Sequence, residues 1–185
     1  MQKQMEILLQ QIKYPDHQLF LFENKIIEKV DVLRKSNQMM FYLLFDEPLV
    51  GAAFFELYHN FDMTFENIKT IQEASFTIKY QREVSDDKIK EYWPLIIEYL
   101  SRKQILIRYL ESFSIKVEDH NIQIAVSNNQ YVQDIEQHYV ELIAATYRRF
   151  GFHVNRVMPY LCTNAKSDDD LLTEREQYYA TLTPP

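Results

Sequence analysis

The chain has 185 residues, 46% hydrophobic and 14% aromatic, which is enough to bury a core as one domain or as two small lobes. Its formal net charge of −7 argues against broad adhesion to nucleic acid, which depends on neutralising phosphates with Lys and Arg. Only Gly51 and Gly151 are glycines, a hundred positions apart, so neither a dinucleotide-binding fingerprint nor a P-loop can be assembled. Cys162 is the single cysteine, which excludes an intrachain disulfide and a thiolate cluster. No apolar run reaches the roughly 20 residues needed to span a bilayer, and the N-terminus lacks a signal peptide's apolar stretch. No membrane association and a cytoplasmic location are expected.

In chain order, Met5, Leu8, Leu9 and Ile12 make one stripe of a short helix over residues 4–13, ended by Tyr14-Pro15-Asp16. Between Lys25 and Lys35 the apolar positions Ile26, Ile27, Val30 and Leu33 fit a helix, while Ile26, Val30 and Val32 alternate as on a strand. The β-branched bias, the turn Lys35-Ser36-Asn37 and the aromatic run Met39 to Phe45 favour a hairpin. Asp46-Glu47-Pro48 breaks the pairing and reads as a loop. Phe54, Leu57, Tyr58 and Phe61 recur at helical spacing, and Phe76, Ile78 and Tyr80 alternate on a third strand.

Ser85 is a candidate N-cap, with Asp86 and Asp87 at the positive end of a helix whose buried stripe is Ile89, Tyr92, Trp93, Ile96 and Leu100. Pro94 removes one hydrogen bond and should kink that helix near Lys90. Phe113, Ile115 and Val117, the turn Glu118 to Asn121, and Ile122, Ile124 and Val126 form the clearest hairpin. Asn128 and Asn129 can cap a long helix carrying Val132, Ile135, Tyr139, Leu142, Thr146 and Phe150, which Gly151 ends by taking a left-handed conformation. Phe152 to Leu161 reads as a last strand. The fold expected is α+β, with two small lobes that each run strand-strand-helix-strand. Residues 1–82 hold an N-terminal helix and the first lobe, 83–163 a connecting helix and the second lobe, and 164–185 an acidic linker or tail.

Few residues suggest chemistry. Asp168-Asp169-Asp170 invites a metal-carboxylate reading, but Ser167 before three acids and Leu171-Leu172 is better explained as a helix start in a solvated tail. The histidines at 17, 59, 120, 138 and 153 share no zinc-site spacing, and Cys162 has no histidine nearby and reads as a semi-buried thiol. No catalytic residue, cofactor site or metal site is expected. Arg148 and Arg149 sit where a helix dipole favours cations, and they are the candidate interaction residues. Thirteen tyrosines exceed what a small core comfortably buries, which points to a protein-binding surface.

Glu91-Tyr92-Trp93 and Tyr147-Arg148-Arg149-Phe150-Gly151-Phe152, together with Ile7-Leu8-Leu9-Gln10-Gln11-Ile12 and Met40-Phe41-Tyr42-Leu43-Leu44-Phe45, resemble the N-terminal region of the PolC-type DNA polymerase III alpha subunit of Gram-positive bacteria. The resemblance runs from about residue 5 to about residue 162. It implies a non-catalytic region of a replicative polymerase, family-like structural roles for Tyr92, Trp93, Tyr147, Phe150, Gly151 and Phe152, and a replisome protein as partner, with the clamp-loader tau subunit as its first candidate. It also implies a KH-like second lobe. Pro94 and the terminal Thr183-Pro184-Pro185 depart from the pattern. The alternative is a stand-alone KH-like binder of single-stranded nucleic acid using Arg148 and Arg149. The Gly-x-x-Gly clamp of such modules cannot be formed here, so weak or no nucleic-acid binding is expected.

Overall fold

The computed structural model describes residues 2–162 together with Thr173, Glu176, Gln177 and Ala180. The Asp168-Asp169-Asp170 run and nearly all of the expected tail lie outside the described residues. The chain divides into two compact units: residues 1–84 with 149–152, and residues 85–148 with the chain from 153 onward.

The first unit begins with α1 (Gln2–Gln11), which buries Met5, Leu8 and Leu9. Its sheet has the order β1 (Lys25–Leu33), β2 (Gln38–Phe45), β3 (Glu73–Tyr80), and α2 (Gly51–Glu66) connects β2 to β3. β1 and β2 are antiparallel, whereas β2 and β3 are parallel, as a helical crossover between strands requires. Phe41, Leu43, Phe45, Phe76 and Ile78 form the buried face against Phe54, Leu57, Phe61 and Phe65 of α2. The rings interlock edge to face, with Phe61 at 5.4 Å from Phe41 and 5.0 Å from Phe76. Tyr14 extends this cluster through Phe22, and its hydroxyl donates to the Ala53 carbonyl. Burial, with the Glu56 carboxylate nearby, pushes that phenol up to about 12.

The alternation read across Ile26, Val30 and Val32 does not survive. Pairing shifts between Ile27 and Lys29, so Ile26 lies opposite Leu44 but Val30 lies opposite Phe41. A bulge inserts one extra residue and thereby exchanges the two faces of the strand. Lys25 and Ile27 are the buried residues of β1, while Val30, Val32 and Leu33 are exposed.

In the second unit α3 (Asp86–Lys103) starts as expected, with Ser85 Oγ accepting from the Lys88 N–H, and it continues through Pro94. The sheet has the order β4 (Ile115–Glu118), β5 (Asn121–Val126), β6 (Arg156–Leu161), antiparallel and then parallel. Both units therefore repeat the strand-strand-helix-strand order. Asp119 and His120 form the β4–β5 turn at φ 49° and 62°, which hairpin twist favours but side chains resist. Asp86 offsets that cost, because its carboxylate accepts from the N–H groups of Asp119 (2.9 Å) and His120 (3.0 Å).

The long helix expected after Asn128 is two helices, α4 (Asn129–His138) and α5 (Val140–Arg149), separated at Tyr139 with φ −122°. Asn128 does cap it, accepting from the Tyr131 N–H. The break turns Ile135 and Tyr139 inward and leaves Leu142 exposed, so a single unbroken stripe is not what the core uses. Residues 16–22 and 105–112 are 3-10 segments that periodicity did not indicate, and the last strand starts at Arg156 rather than Phe152.

One ion pair fixes the open end of the β1–β2 hairpin. Lys25 Nζ lies 2.8 Å from Asp46 Oδ1, with the two side chains only 7% and 17% exposed. Burial alone would raise the Asp46 carboxyl, but the hydrogen bond from Lys25 and the Glu47 backbone N–H hold it below its ordinary value. A depressed folded-state value means that stability is present above the usual aspartate range near pH 4 and is lost as pH falls through the folded value. Asp46→Asn, which leaves the buried ammonium unpaired, should cost about 3 kcal/mol in a denaturant titration at pH 7. The difference from the native chain should shrink below about pH 4.

Candidate functional site

The residues that the resemblance singled out fall on buried positions of α3 and on the junction after α5. Tyr92 and Trp93 are inside the second unit, 0% and 3% exposed. Among the described residues the Trp93 indole nitrogen has no hydrogen-bond partner. Tyr147, also fully buried, donates its hydroxyl to the Ile89 carbonyl at 2.9 Å, and burial raises its phenol well above the ordinary value. That hydrogen bond joins α5 to α3 across 58 residues of chain.

Arg148 ends α5 with its Nε donating to the Val154 carbonyl at 3.1 Å, and its guanidinium lies 3.3 Å from Glu141. Arg149 Nε donates to the Phe76 carbonyl of β3 at 3.1 Å, with the guanidinium over the Phe150 ring. Both candidate interaction residues are thus engaged with backbone oxygens that close the helix-to-strand junction. Phe150 inserts between α2 and β3, its ring 5.0 Å from Phe54 and 5.6 Å from Phe76, and Phe152 meets Tyr80 at 5.6 Å.

Gly151 has φ +91°, and a Cβ there would lie 2.6 Å from the Tyr80 ring and 2.7 Å from the Ile78 carbonyl oxygen. The sequence indicated the left-handed cap but not the second constraint, the close approach to β3. Only the missing side chain lets residues 149–152 enter the first unit.

Elsewhere the fold brings together residues that spacing kept apart. His120 and His153 face each other with ring centroids 5.6 Å apart, and His120 Nδ1 lies 3.5 Å from Asp86. Among the described residues no three His, Cys, Asp or Glu side chains converge so as to hold a metal ion. Cys162 is half-buried. A shallow cleft of about 390 Å³ on the first sheet is lined by Leu33, Met40 and Tyr42 with Asp31 and Glu73, and no Lys or Arg lines it to hold a phosphate. No helix of the described residues is long and apolar enough to cross a membrane.

The tyrosines divide. Tyr14, Tyr58, Tyr92, Tyr99, Tyr139 and Tyr147 are buried, so the core takes more of them than composition suggested. Tyr109 and Tyr131 are half-buried and meet at 5.6 Å, beside Phe113 and Tyr139. Tyr109 donates its hydroxyl to Asp134 at 2.6 Å, a pairing over 25 residues that no sequence spacing marks. Burial and then that carboxylate raise the Tyr109 phenol far above its ordinary value.

Comparison with known proteins places the two halves of the chain in one family. Residues 4–77 match the family described as DNA polymerase III polC-type N-terminus I, and residues 91–182 match DNA polymerase III polC-type N-terminus II. The chain belongs to the PolC-type N-terminal region. A DNA polymerase III PolC-type from Listeria welshimeri serovar 6b is 26% identical over 175 residues, covering 91% of this chain. The chain spans 12% of that relative's length. The first of the two PolC-type matches ends within β3, and the second begins at Glu91 within α3.

Gly151→Val should destabilise the fold by about 2 kcal/mol or more, since a β-branched residue meets both the left-handed penalty and the overlap with β3. Gly51→Ala, at the first residue of α2, should change stability by less than about 0.5 kcal/mol in the same denaturant titration. Tyr147→Phe should cost about 1–2 kcal/mol through the lost bond to Ile89, read as a lower midpoint with an unchanged slope.

Proposed function

We propose that this chain is a non-catalytic portion of a replicative DNA polymerase and acts as a protein-docking module of the replisome, with the clamp-loader tau subunit as the first partner to test. The observation that carries this reading is the placement of the signature residues. Tyr147 and Arg148 donate to backbone carbonyls within the second unit, and Arg149, Phe150 and Gly151 pack against β3 and α2 within the first, so the motif supports a scaffold. A scaffold of this kind contributes through its surface.

The repeated strand-strand-helix-strand order of the second unit supports a KH-like architecture, and the chain has no Gly-x-x-Gly clamp with which to grip a nucleic-acid backbone. Its 27 acidic against 20 basic residues favour a protein over a polyanion as partner. The place of action would be the cytoplasm, where bacterial replication proceeds.

The test pairs two measurements on the whole chain. Labelled single-stranded DNA should bind no more tightly than roughly 10⁻⁵ M at physiological salt, the nonspecific range. Immobilised chain should retain purified tau subunit, and no polymerase or exonuclease turnover should accompany it with magnesium or manganese. Submicromolar oligonucleotide binding without retention of tau would replace this reading with a nucleic-acid-binding one.

A further inference from the structure

The second unit carries an aromatic and acidic face at the edge of its core. Tyr131, Asp134 and His138 are spaced three and four residues apart and so share one side of α4. Tyr109, from the 3-10 segment of residues 105–112, lies against them, its ring 5.6 Å from Tyr131 and tilted to it by 32°. Phe113 backs both rings at 5.8 Å and 5.4 Å. Behind them Ile135 and Tyr139 are buried, whereas Tyr109, Tyr131 and Asp134 remain half-exposed.

The carboxylate in the middle is oriented but not neutralised. Tyr109 Oη donates to Asp134 Oδ2 at 2.6 Å, and His138 Nε2 lies 3.9 Å from Oδ1. Among the described residues no Lys or Arg pairs with Asp134. The sequence explains why: from Val117 to Tyr147 there is no Lys or Arg, while Glu118, Asp119, Asp134, Glu136 and Glu141 are all acidic. Oδ1 keeps lone pairs directed away from the Tyr109 bond, next to half-exposed aromatic rings.

We propose that this face of α4, formed by Tyr131, Asp134 and His138 with Tyr109, is the docking site for an arginine-bearing basic segment of a partner protein. The inference rests on the docking-module reading and names the chemistry of the partner. A guanidinium is planar, stacks on a tyrosine ring and offers parallel N–H groups to a carboxylate, so one arginine satisfies both halves of the site. A lysine would reach the carboxylate but not share the stacking. A phosphate backbone would meet the like charge of Asp134 at the centre of the face. The Tyr109 hydroxyl fixes Asp134 before the partner arrives, which lowers the ordering cost of binding.

The experiment uses the whole chain and a fluorescein-labelled peptide of alternating Arg and Ser residues. Lys-Ser and Glu-Ser peptides and a labelled oligothymidylate are the comparisons, all followed by anisotropy at physiological salt. The Arg-Ser peptide should bind best and shift the amide resonances of Tyr131, Asp134 and His138. Asp134→Asn, nearly isosteric, should weaken it by about fivefold or more, and Tyr109→Phe by about twofold. Glu6→Gln, an exposed acid on α1 of the first unit, should change it by less than about 1.5-fold, within the range of general charge effects.

If Asp134→Asn lowers the melting temperature, Tyr131→Leu gives the same readout by removing the stacking surface while keeping apolar volume. An unaltered affinity in Asp134→Asn overturns the site, as does an equal loss in Glu6→Gln, resonance shifts spread over the acidic surface, equal binding of the Lys-Ser peptide, or tighter binding of the oligothymidylate. Tau retention that survives Asp134→Asn also removes this site while leaving the docking-module reading intact. Loss of tau binding by the unmodified chain strikes that reading alone, since the peptide measurement does not depend on it.

Discussion

The absence of a side chain at Gly151 is the constraint on which the first unit depends. Its backbone passes so close to β3 that a Cβ would overlap the Tyr80 ring and the Ile78 carbonyl. Because the chain can pass there, Phe150 seats between α2 and β3, Arg149 donates to the Phe76 carbonyl, and Phe152 reaches Tyr80. Burying rings of this size contributes about 1.5–3 kcal/mol each, a large share of the net stability of a small unit. The core begun by residues 1–84 is therefore completed by residues more than sixty positions further along the chain.

This arrangement changes what the family-like motif means. Tyr147-Arg148-Arg149-Phe150-Gly151-Phe152 has two adjacent cations among aromatics, a composition that in isolation suggests a nucleic-acid contact. In the fold, each polar group of the motif meets a specific backbone oxygen: Tyr147 with Ile89, Arg148 with Val154, Arg149 with Phe76. Buried or half-buried donors need such partners, and a guanidinium bonded to a carbonyl is held in place by it. The motif thus reads as construction, and half-buried aromatics are found elsewhere on the second unit. Tyr109 and Tyr131 are such residues, and their neighbour Asp134 has an acidic setting set by thirty-odd residues of sequence without a cation.

Much of the architecture was legible in the chain. Ser85 and Asn128 cap the helices they precede, the hairpin around Asp119 and His120 forms, and the α+β order repeats, because caps, turns and period-two alternation are local properties. The misreadings come where one local signal admits two tertiary answers. A single-residue bulge after Ile27 reversed the faces of β1, and the buried Tyr139 divided a continuous helical pattern into α4 and α5. The 3-10 segments at residues 16–22 and 105–112 have no distinct period by which to be recognised.

By itself, the sequence determined the fold class, the starts of α3 and α4, the left-handed residue at position 151 and the lack of a phosphate-binding loop. Those depend on residues close in the chain or on composition. Tertiary structure alone decided that Arg149 to Phe152 belong to the first unit, that Asp86 holds the turn at Asp119 and His120, and that Tyr109 meets Asp134. Each is a contact over tens of residues, fixed by which backbone groups and rings need a partner once the core has closed. No spacing in the chain encodes such a contact, because many spacings can bring the same two groups together.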